Sequence, residues 1–248
     1  MQRYFLTEAP TVQEFVLPED VQHHLMTVLR GKEGTQAEFV YPDQQTMVVA
    51  EVIRVDDETT TMRVVEEVTT DVELPVETTI ILGLAKGDKP ELVVQKATEL
   101  GVHHVIIVET DWSVVHWGMK ADKKLARLQK IAQGAAEQSH RLRVPDVTYV
   151  EKLRDLVLPD DMVKIVAWEE SAKQGETAQL VAQFSRLNPG DKIAFLVGPE
   201  GGLKQSELNL LTKTFGFVPA GLGPRILRAE TAPLYALSAL SYALELAR

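Results

Sequence analysis

From residue 79 onward, short apolar runs rich in β-branched residues alternate with stretches whose apolar residues recur every three or four positions. Strands are expected over 79–84, 104–108, 147–150, 163–168, 193–197 and 217–220. Each is followed by a helical pattern, over 90–100, 122–139, 152–157, 177–184, 205–215 and 229–247 in turn. A parallel strand pair needs a helix-length crossover, so this rhythm implies an α/β domain: a mostly parallel sheet with helices on both faces.

Residues 1–72 follow another pattern. Runs over 37–41, 48–55 and 61–68 read as strands, separated by the turn-like Asp43-Gln44-Gln45 and Asp56-Asp57-Glu58. One helix interrupts them, opened by Pro18-Glu19-Asp20, carried by Val21, Leu25, Val28 and Leu29, and closed by Gly31. Short strands with a single helix suggest a small β-barrel. The change of rhythm around Asp71-Val72-Glu73-Leu74-Pro75 sets the expected domains at 1–72 and 73–248.

The chain contains no cysteine, which excludes a disulfide scaffold and any thiolate metal site. Its start carries no apolar signal segment, and no apolar run approaches the ~20 residues of a membrane span, so a cytoplasmic protein with no membrane partner is expected. Net charge is −10, which taken alone argues against nucleic acid. The distribution says more: between Trp112 and Pro145 stand Lys120, Lys123, Lys124, Arg127, Lys130, Arg141 and Arg143 against Asp122 and Glu137 alone. Such a stripe is either a solvated helix face or a local RNA-docking surface.

Two glycine-rich turns lie where strands hand over to helices, the place where open α/β sheets bind ligands. Gly198-Pro199-Glu200-Gly201-Gly202 follows the run ending in Leu196-Val197, and Gly221-Leu222-Gly223-Pro224-Arg225 leads into Ile226-Leu227-Arg228-Ala229-Glu230-Thr231. Neither is a common nucleotide cradle. Counted from Gly198, the P-loop positions for glycine and serine or threonine hold Leu203 and Gln205. Counted from Gly221, the last glycine of a dinucleotide fingerprint is Ile226. No H-E-x-x-H or G-x-S-x-G occurs, and the pairs His23-His24 and His103-His104 point their members apart, so no metal is expected. What remains is two bare turns with Arg225, Arg228 and Glu230 beside them. Glu230 is expected in the first turn of the helix over 229–247, where the dipole favours a carboxylate, with Arg228 as a candidate partner.

Those residues carry a resemblance. The carboxyl half resembles the knotted SPOUT methyltransferases, and the whole chain is similar to the 16S rRNA uridine-N3 methyltransferases of that class. The matching segments are "RYFL", "HHLMTVLRGKEG" (23–34), "QKATELGV" (95–102), "EQSHRLRVP" (137–145), "VGPEGGLKQSE" (197–207) and "LGPRILRAETA" (222–232). The resemblance implies a PUA-like RNA-binding barrel over 1–72, a SPOUT α/β domain over 73–248 with a carboxyl-terminal trefoil knot, and a homodimer. It implies S-adenosyl-L-methionine as cofactor, held by Leu196, Val197, Gly198, Pro199, Glu200, Gly201 and Gly202 and by Leu222, Gly223, Arg225, Ile226 and Leu227, with a third wall near Glu169.

The implied substrate is 16S rRNA or the small ribosomal subunit. Arg228 and Glu230 are the catalytic candidates: Arg228 steadies charge on the uracil, and Glu230 either positions Arg228 or receives the N3 proton. Glu200 either organises its loop or faces the sulfonium. Arg30, Lys32, Arg141 and Arg143 are candidate RNA contacts. Trp112 stands where the family usually has arginine and either stacks on a base or packs. Rival readings are a ribose 2′-oxygen methyltransferase of the same class and a non-catalytic RNA-binding assembly factor.

Overall fold

The computed structural model describes residues 1–56, 58–173 and 178–247; Asp57 of the expected second turn and Thr177 of the expected fifth helix lie outside them. Two compact units emerge, Met1–Glu73 with Glu137–Arg143, and Leu74–Ala136 with Val144–Arg248.

The first unit holds β1 (Gln2–Phe5), β2 (Glu14–Val16), α1 (Glu19–Gln22), β3 (Gln36–Val40), β4 (Met47–Val55) and β5 (Thr60–Val68). They form one five-stranded sheet in the order β1-β3-β4-β5-β2, parallel only between β1 and β3. Tyr4, Leu6, Phe39, Val48, Val52 and Met62 bury one face against Val21 and Leu25. The helix differs from the 3–4 spacing read in the sequence. After one turn of α1 the chain widens into a π turn over His23–Val28, in which the Leu29 N–H reaches back five residues to the His24 carbonyl. The wider winding rotates Val28 (56% exposed) and Leu29 off the buried face.

Segment Glu137–Arg143 belongs to this unit because its polar groups are consumed there. The His140 ring bonds Glu38 at 2.9 Å, and Arg3 donates to the carbonyls of His140 and Arg141. Arg141 is therefore not the RNA contact that its basic surroundings suggest. It is 3% exposed and its guanidinium is paired with Glu73, whose carboxylate also accepts the N–H groups of Leu142 and Arg143. A cation spent on a buried carboxylate has no reach to a phosphate. Arg30 and Lys32 are exposed, and Arg143 is half-buried.

The second unit contains β6 (Glu77–Gly83), α2 (Lys89–Glu99), β7 (His104–Val108), α3 (Ala121–Gln138), β8 (Asp146–Val150), β9 (Val163–Ala167), α4 (Glu169–Lys173), α5 (Gln179–Phe184), β10 (Lys192–Val197), α6 (Gln205–Lys213), β11 (Val218–Ala220) and α7 (Ala232–Ser241). Its six-stranded sheet runs β11-β9-β10-β6-β7-β8, and every ladder is parallel. Alternate residues serve opposite cores. Ile80, Leu82, Ile193 and Phe195 pack with Val93, Val94, Leu128 and Leu237 of α2, α3 and α7. Ile81, Ala194 and Leu196 pack with Leu208 and Leu211 of α6. Two-sided burial explains why these strands read as continuous apolar runs.

Two expected helices are shorter. The segment over 152–157 is a single 3-10 turn, Leu153–Asp155, after which Leu156 is already extended, and Leu153 and Leu156 anchor it in the core. The last helix begins at Ala232, not Ala229, and passes into a π turn over Tyr242–Leu246.

Candidate cofactor site and its charged rim

In the order β11-β9-β10-β6, the first strand of the unit lies beside β10 while the chain leaves it towards β7 and β8. The crevice outside the carboxyl ends of β6 and β10 is thus a topological switch point, where open sheets bind ligands. The first glycine turn fills its rim. Gly202, at φ +76°, donates its N–H to the Pro199 carbonyl at 2.8 Å and closes the turn. Gly83, the last residue of β6, lies directly under it: a Cβ there would stand 2.5 Å from Pro199 Cδ and 2.6 Å from Pro199 N. The bare strand end is what allows the turn to sit so low.

The second turn meets the first. Val197 packs with Leu222 and Ala232, and Ala167 at the end of β9 and Leu227 close the cluster. The Trp168 N–H bonds the Ala220 carbonyl at 3.0 Å, joining the exits of β9 and β11. The carboxyl ends of three adjacent strands therefore converge, with Leu222, Gly223, Arg225, Ile226 and Leu227 on one side and Val197 to Gly202 on the other. The Leu196 side chain is buried in the opposite core with Leu211, which leaves its backbone for the crevice.

A charged triad ties these segments together. Lys89 Nζ donates to Glu200 Oε1 at 2.8 Å and lies 3.4 Å from Glu230 Oε2. The Lys86 N–H also donates to Glu200, at 3.3 Å. Glu200 is thus an organiser of its loop. Burial alone would raise its pKa, but the Lys89 hydrogen bond and charge, with backbone N–H groups, hold it below the ordinary carboxylate value. The Lys89 pKa is raised by its bond to Glu200 first, against desolvation and with help from both carboxylate charges. Glu230 sits in the turn ahead of α7, where the N–H groups of Thr231 and Ala232 close onto the Arg228 carbonyl. Its partner is Lys89, not Arg228, and the buried Oε2 accepts no hydrogen bond among the described residues. Arg225 and Arg228 are exposed and form no ion pair among those residues. Lys86 and Lys89 were not singled out from the sequence. Their signal was a third glycine-bearing strand–helix junction, Gly83-Leu84-Ala85-Lys86-Gly87-Asp88-Lys89.

Next to the first turn runs the loop from β7 to α3. Trp112 packs under Gly201, its Cβ 3.1 Å from where a Gly201 Cβ would stand, and remains 45% exposed. Buried Glu207 accepts the N–H of Asp111 at 2.9 Å and that of Lys204 at 2.8 Å, fastening the loop to the start of α6. Glu109 anchors the far side, accepting from Tyr149 Oη at 2.5 Å and the Trp117 N–H at 2.9 Å, with the His116 ring at 2.6 Å. A groove of about 630 Å³ opens here, lined by residues including Thr110, His116, Lys152, Arg154 and Ser206.

A family profile of RNA methyltransferase domains matches residues 72–241. Over its whole length the chain is 43% identical to the ribosomal RNA small subunit methyltransferase E of Bacillus subtilis (strain 168), covering 99% of that protein. The chain belongs to that methyltransferase family. Within the ribosomal RNA small subunit methyltransferase E family, a solved structure from Neisseria gonorrhoeae bound to S-adenosyl methionine superposes with a TM-score of 0.84, at 30% identity and 97% coverage of both chains.

For a member of this family the triad carries a direct expectation. Replacing Lys89 by Met leaves two carboxylates facing each other without a cation, at groups about one-fifth to one-quarter exposed. A pair intermediate between surface and buried is worth about 1–2 kcal/mol, so cofactor affinity measured by calorimetry is expected to fall about tenfold. The pH sign follows from the two shifts. The Glu200 contribution is lost as pH falls through its lowered pKa, below 4.5, and the Lys89 contribution as pH rises through its raised pKa, above 10.5. Affinity due to the pair is therefore flat across neutral pH, and a strong slope between pH 6 and pH 8 would contradict it.

Proposed function

We propose that the chain is an S-adenosylmethionine-dependent methyltransferase acting on N3 of a uridine in 16S rRNA, in the small ribosomal subunit. The convergence of two turns of nearly bare backbone on the switch-point crevice, with exposed Arg228 and the Lys89-paired carboxylate of Glu230 at their edge, supports this reading. The donor set fits the cofactor. The backbone of Val197 to Gly202 and of Leu222 to Leu227 suits an adenine edge and a ribose, and a Cβ on Gly198 would close the first turn onto Gly202 at 3.0 Å. When bound, the cofactor supplies a methyl group on a positively charged sulfur.

The chain's own residues must hold the uracil and take its proton. N3 of uridine is protonated at neutral pH and a poor nucleophile until that proton leaves. Arg228, exposed and without an ion pair among the described residues, is the proposed group that stabilises negative charge growing on the ring oxygens. Glu230, at the same edge with Oε2 3.4 Å from Lys89 Nζ, is the proposed proton acceptor. The N3–H bond breaks to the carboxylate as N3 forms its bond to the methyl carbon and the carbon–sulfur bond breaks. N3 lies on the pairing edge, so the target base is unpaired or flipped out.

The remaining parts of the reading rest on the resemblance with local support. The first unit is taken as the PUA-like RNA-binding barrel, its sheet bent by irregularities in the β4–β5 ladder at Val49/Ala50 and Val52/Arg54, with Arg30, Lys32 and Arg143 as RNA contacts. The carboxyl end of the second unit is taken as threaded in a trefoil knot. Exposed Tyr242 and Leu246 beyond α7 suit a homodimer contact. No helix among the described residues is long and apolar enough to cross a membrane, and a cytoplasmic setting fits a ribosomal substrate.

The test offers labelled cofactor with naked 16S rRNA and with assembled small subunits, followed by digestion to nucleosides. Label in 3-methyluridine is expected. Label in alkali-resistant linkages would transfer the chain to ribose 2′-oxygen chemistry, and no transfer with no saturable cofactor binding would make it a binding factor.

A further inference from the structure

The exposed face of α3 has no part in the site described so far, yet it is the most concentrated positive feature of an acidic chain. Lys120 closes the 3-10 turn ahead of the helix, and Lys123, Lys124, Arg127 and Lys130 follow on it, all exposed. At 100° per residue these five fall within an arc of about 120° and extend about 15 Å along the axis. Leu128, Ala132, Ala135 and Ala136 bury the opposite side. Two acids are near. Asp122 lies outside the basic arc, and Glu91 of α2 pairs with Arg127 at 2.7 Å. The four lysines form no ion pair among the described residues.

The loop that feeds this face is also unusual. Between Trp112 and Lys120 it exposes Val114, His116 and Met119, the last completely, while Glu109 and Glu207 pin both of its ends. The His116 ring and the 45%-exposed Trp112 indole on this fastened loop offer faces on which unpaired bases stack. Trp112 carries the same loop under the first glycine turn.

We infer that the lysine face of α3 and the β7–α3 loop form a track for the rRNA strand: phosphates lie along the lysines, and bases pass over the loop to the crevice at Gly201. The inference rests on the proposed rRNA substrate. It commits to RNA because the chain as a whole carries a net charge of −10 and repels a polyanion, so a concentrated lysine face is where phosphates find local attraction. It names a surface that the carboxyl-terminal turns and the first unit do not include.

The experiment compares the full chain with a variant carrying Lys120→Ala, Lys123→Ala, Lys124→Ala and Lys130→Ala, leaving Arg127 with Glu91. Binding to 16S rRNA is measured by fluorescence anisotropy across a salt series, beside cofactor affinity and sedimentation. Each phosphate contact contributes about 0.7–0.9 to the slope of log affinity on log salt, so the variant is expected to lose about 3 from that slope and at least about tenfold in affinity near 0.1 M salt. Cofactor affinity and sedimentation should be unchanged, which shows the variant folded. A slope and affinity matching the unaltered chain would overturn the track while leaving the methyltransferase reading intact. A change in sedimentation would overturn it in favour of a contact between copies of the chain. Failure of the unaltered chain to bind or methylate rRNA would overturn both.

Discussion

Gly83→Ala is expected to lower stability by about 3 kcal/mol and to weaken cofactor binding at least tenfold. The added methyl would stand 2.5 Å from Pro199 Cδ, 2.6 Å from Pro199 N and 3.0 Å from the Gly198 carbonyl carbon. None of these is the free end of a flexible side chain. Either β6 retreats, which its ladders to β10 and β7 resist, or the first glycine turn rises from the sheet. Overpacking a rigid contact costs about 1–3 kcal/mol and sometimes more, and here the strain falls on backbone. For a unit of this size that corresponds to about 6–12 °C in Tm. The displaced turn is the proposed cofactor cradle, so affinity and stability should fall together. A variant with Tm within about 2 °C of the parent and unaltered cofactor affinity would show that Pro199 does not rest on this strand end.

Arg228→Ala should lower kcat by about 100- to 1,000-fold, the usual cost of removing one donor to a developing oxyanion. Cofactor affinity should change little, because Arg228 lies at the rim and its backbone carbonyl, which closes the turn before α7, is retained. Its neighbour Glu230 gives the complementary result. Glu230→Gln keeps the shape of the side chain but removes the base, so kcat falls at neutral pH and recovers as pH rises and the uracil imide loses its proton to solvent. A purely structural carboxylate would show no such recovery. If Arg228→Ala retained more than about a third of the parent kcat at saturating RNA, the electrostatic role assigned to Arg228 would be wrong.

Several features of the site were legible before any coordinates. Continuous β-branched runs such as 193–197 marked the strands of the second unit to within a few residues, because both faces are buried, whereas the helical pattern over 152–157 proved a 3-10 turn and α4 was not expected. The glycine turns stood out because backbone without Cβ is conspicuous between a strand and a helix. The π turns over His23–Val28 and Tyr242–Leu246 were not legible, since the same apolar spacing reads as ordinary helix until the winding is known. Arg141 misled for a related reason: a basic residue among basic neighbours looks exposed, and only its Glu73 partner, 68 residues away, turns it inward.

By itself the sequence determined the α/β class, the family and the two turns, all of which depend on local pattern or on quoted motifs. The tertiary structure alone decided that Lys89 stands between Glu200 and Glu230, with 111 residues separating Lys89 from Glu200, and that Gly83 carries Pro199. Periodicity records which side of an element is buried, but not which strand lies beside which. The order β11-β9-β10-β6 sets the neighbours of each strand end, and those neighbours turn three separate loops into one charged rim.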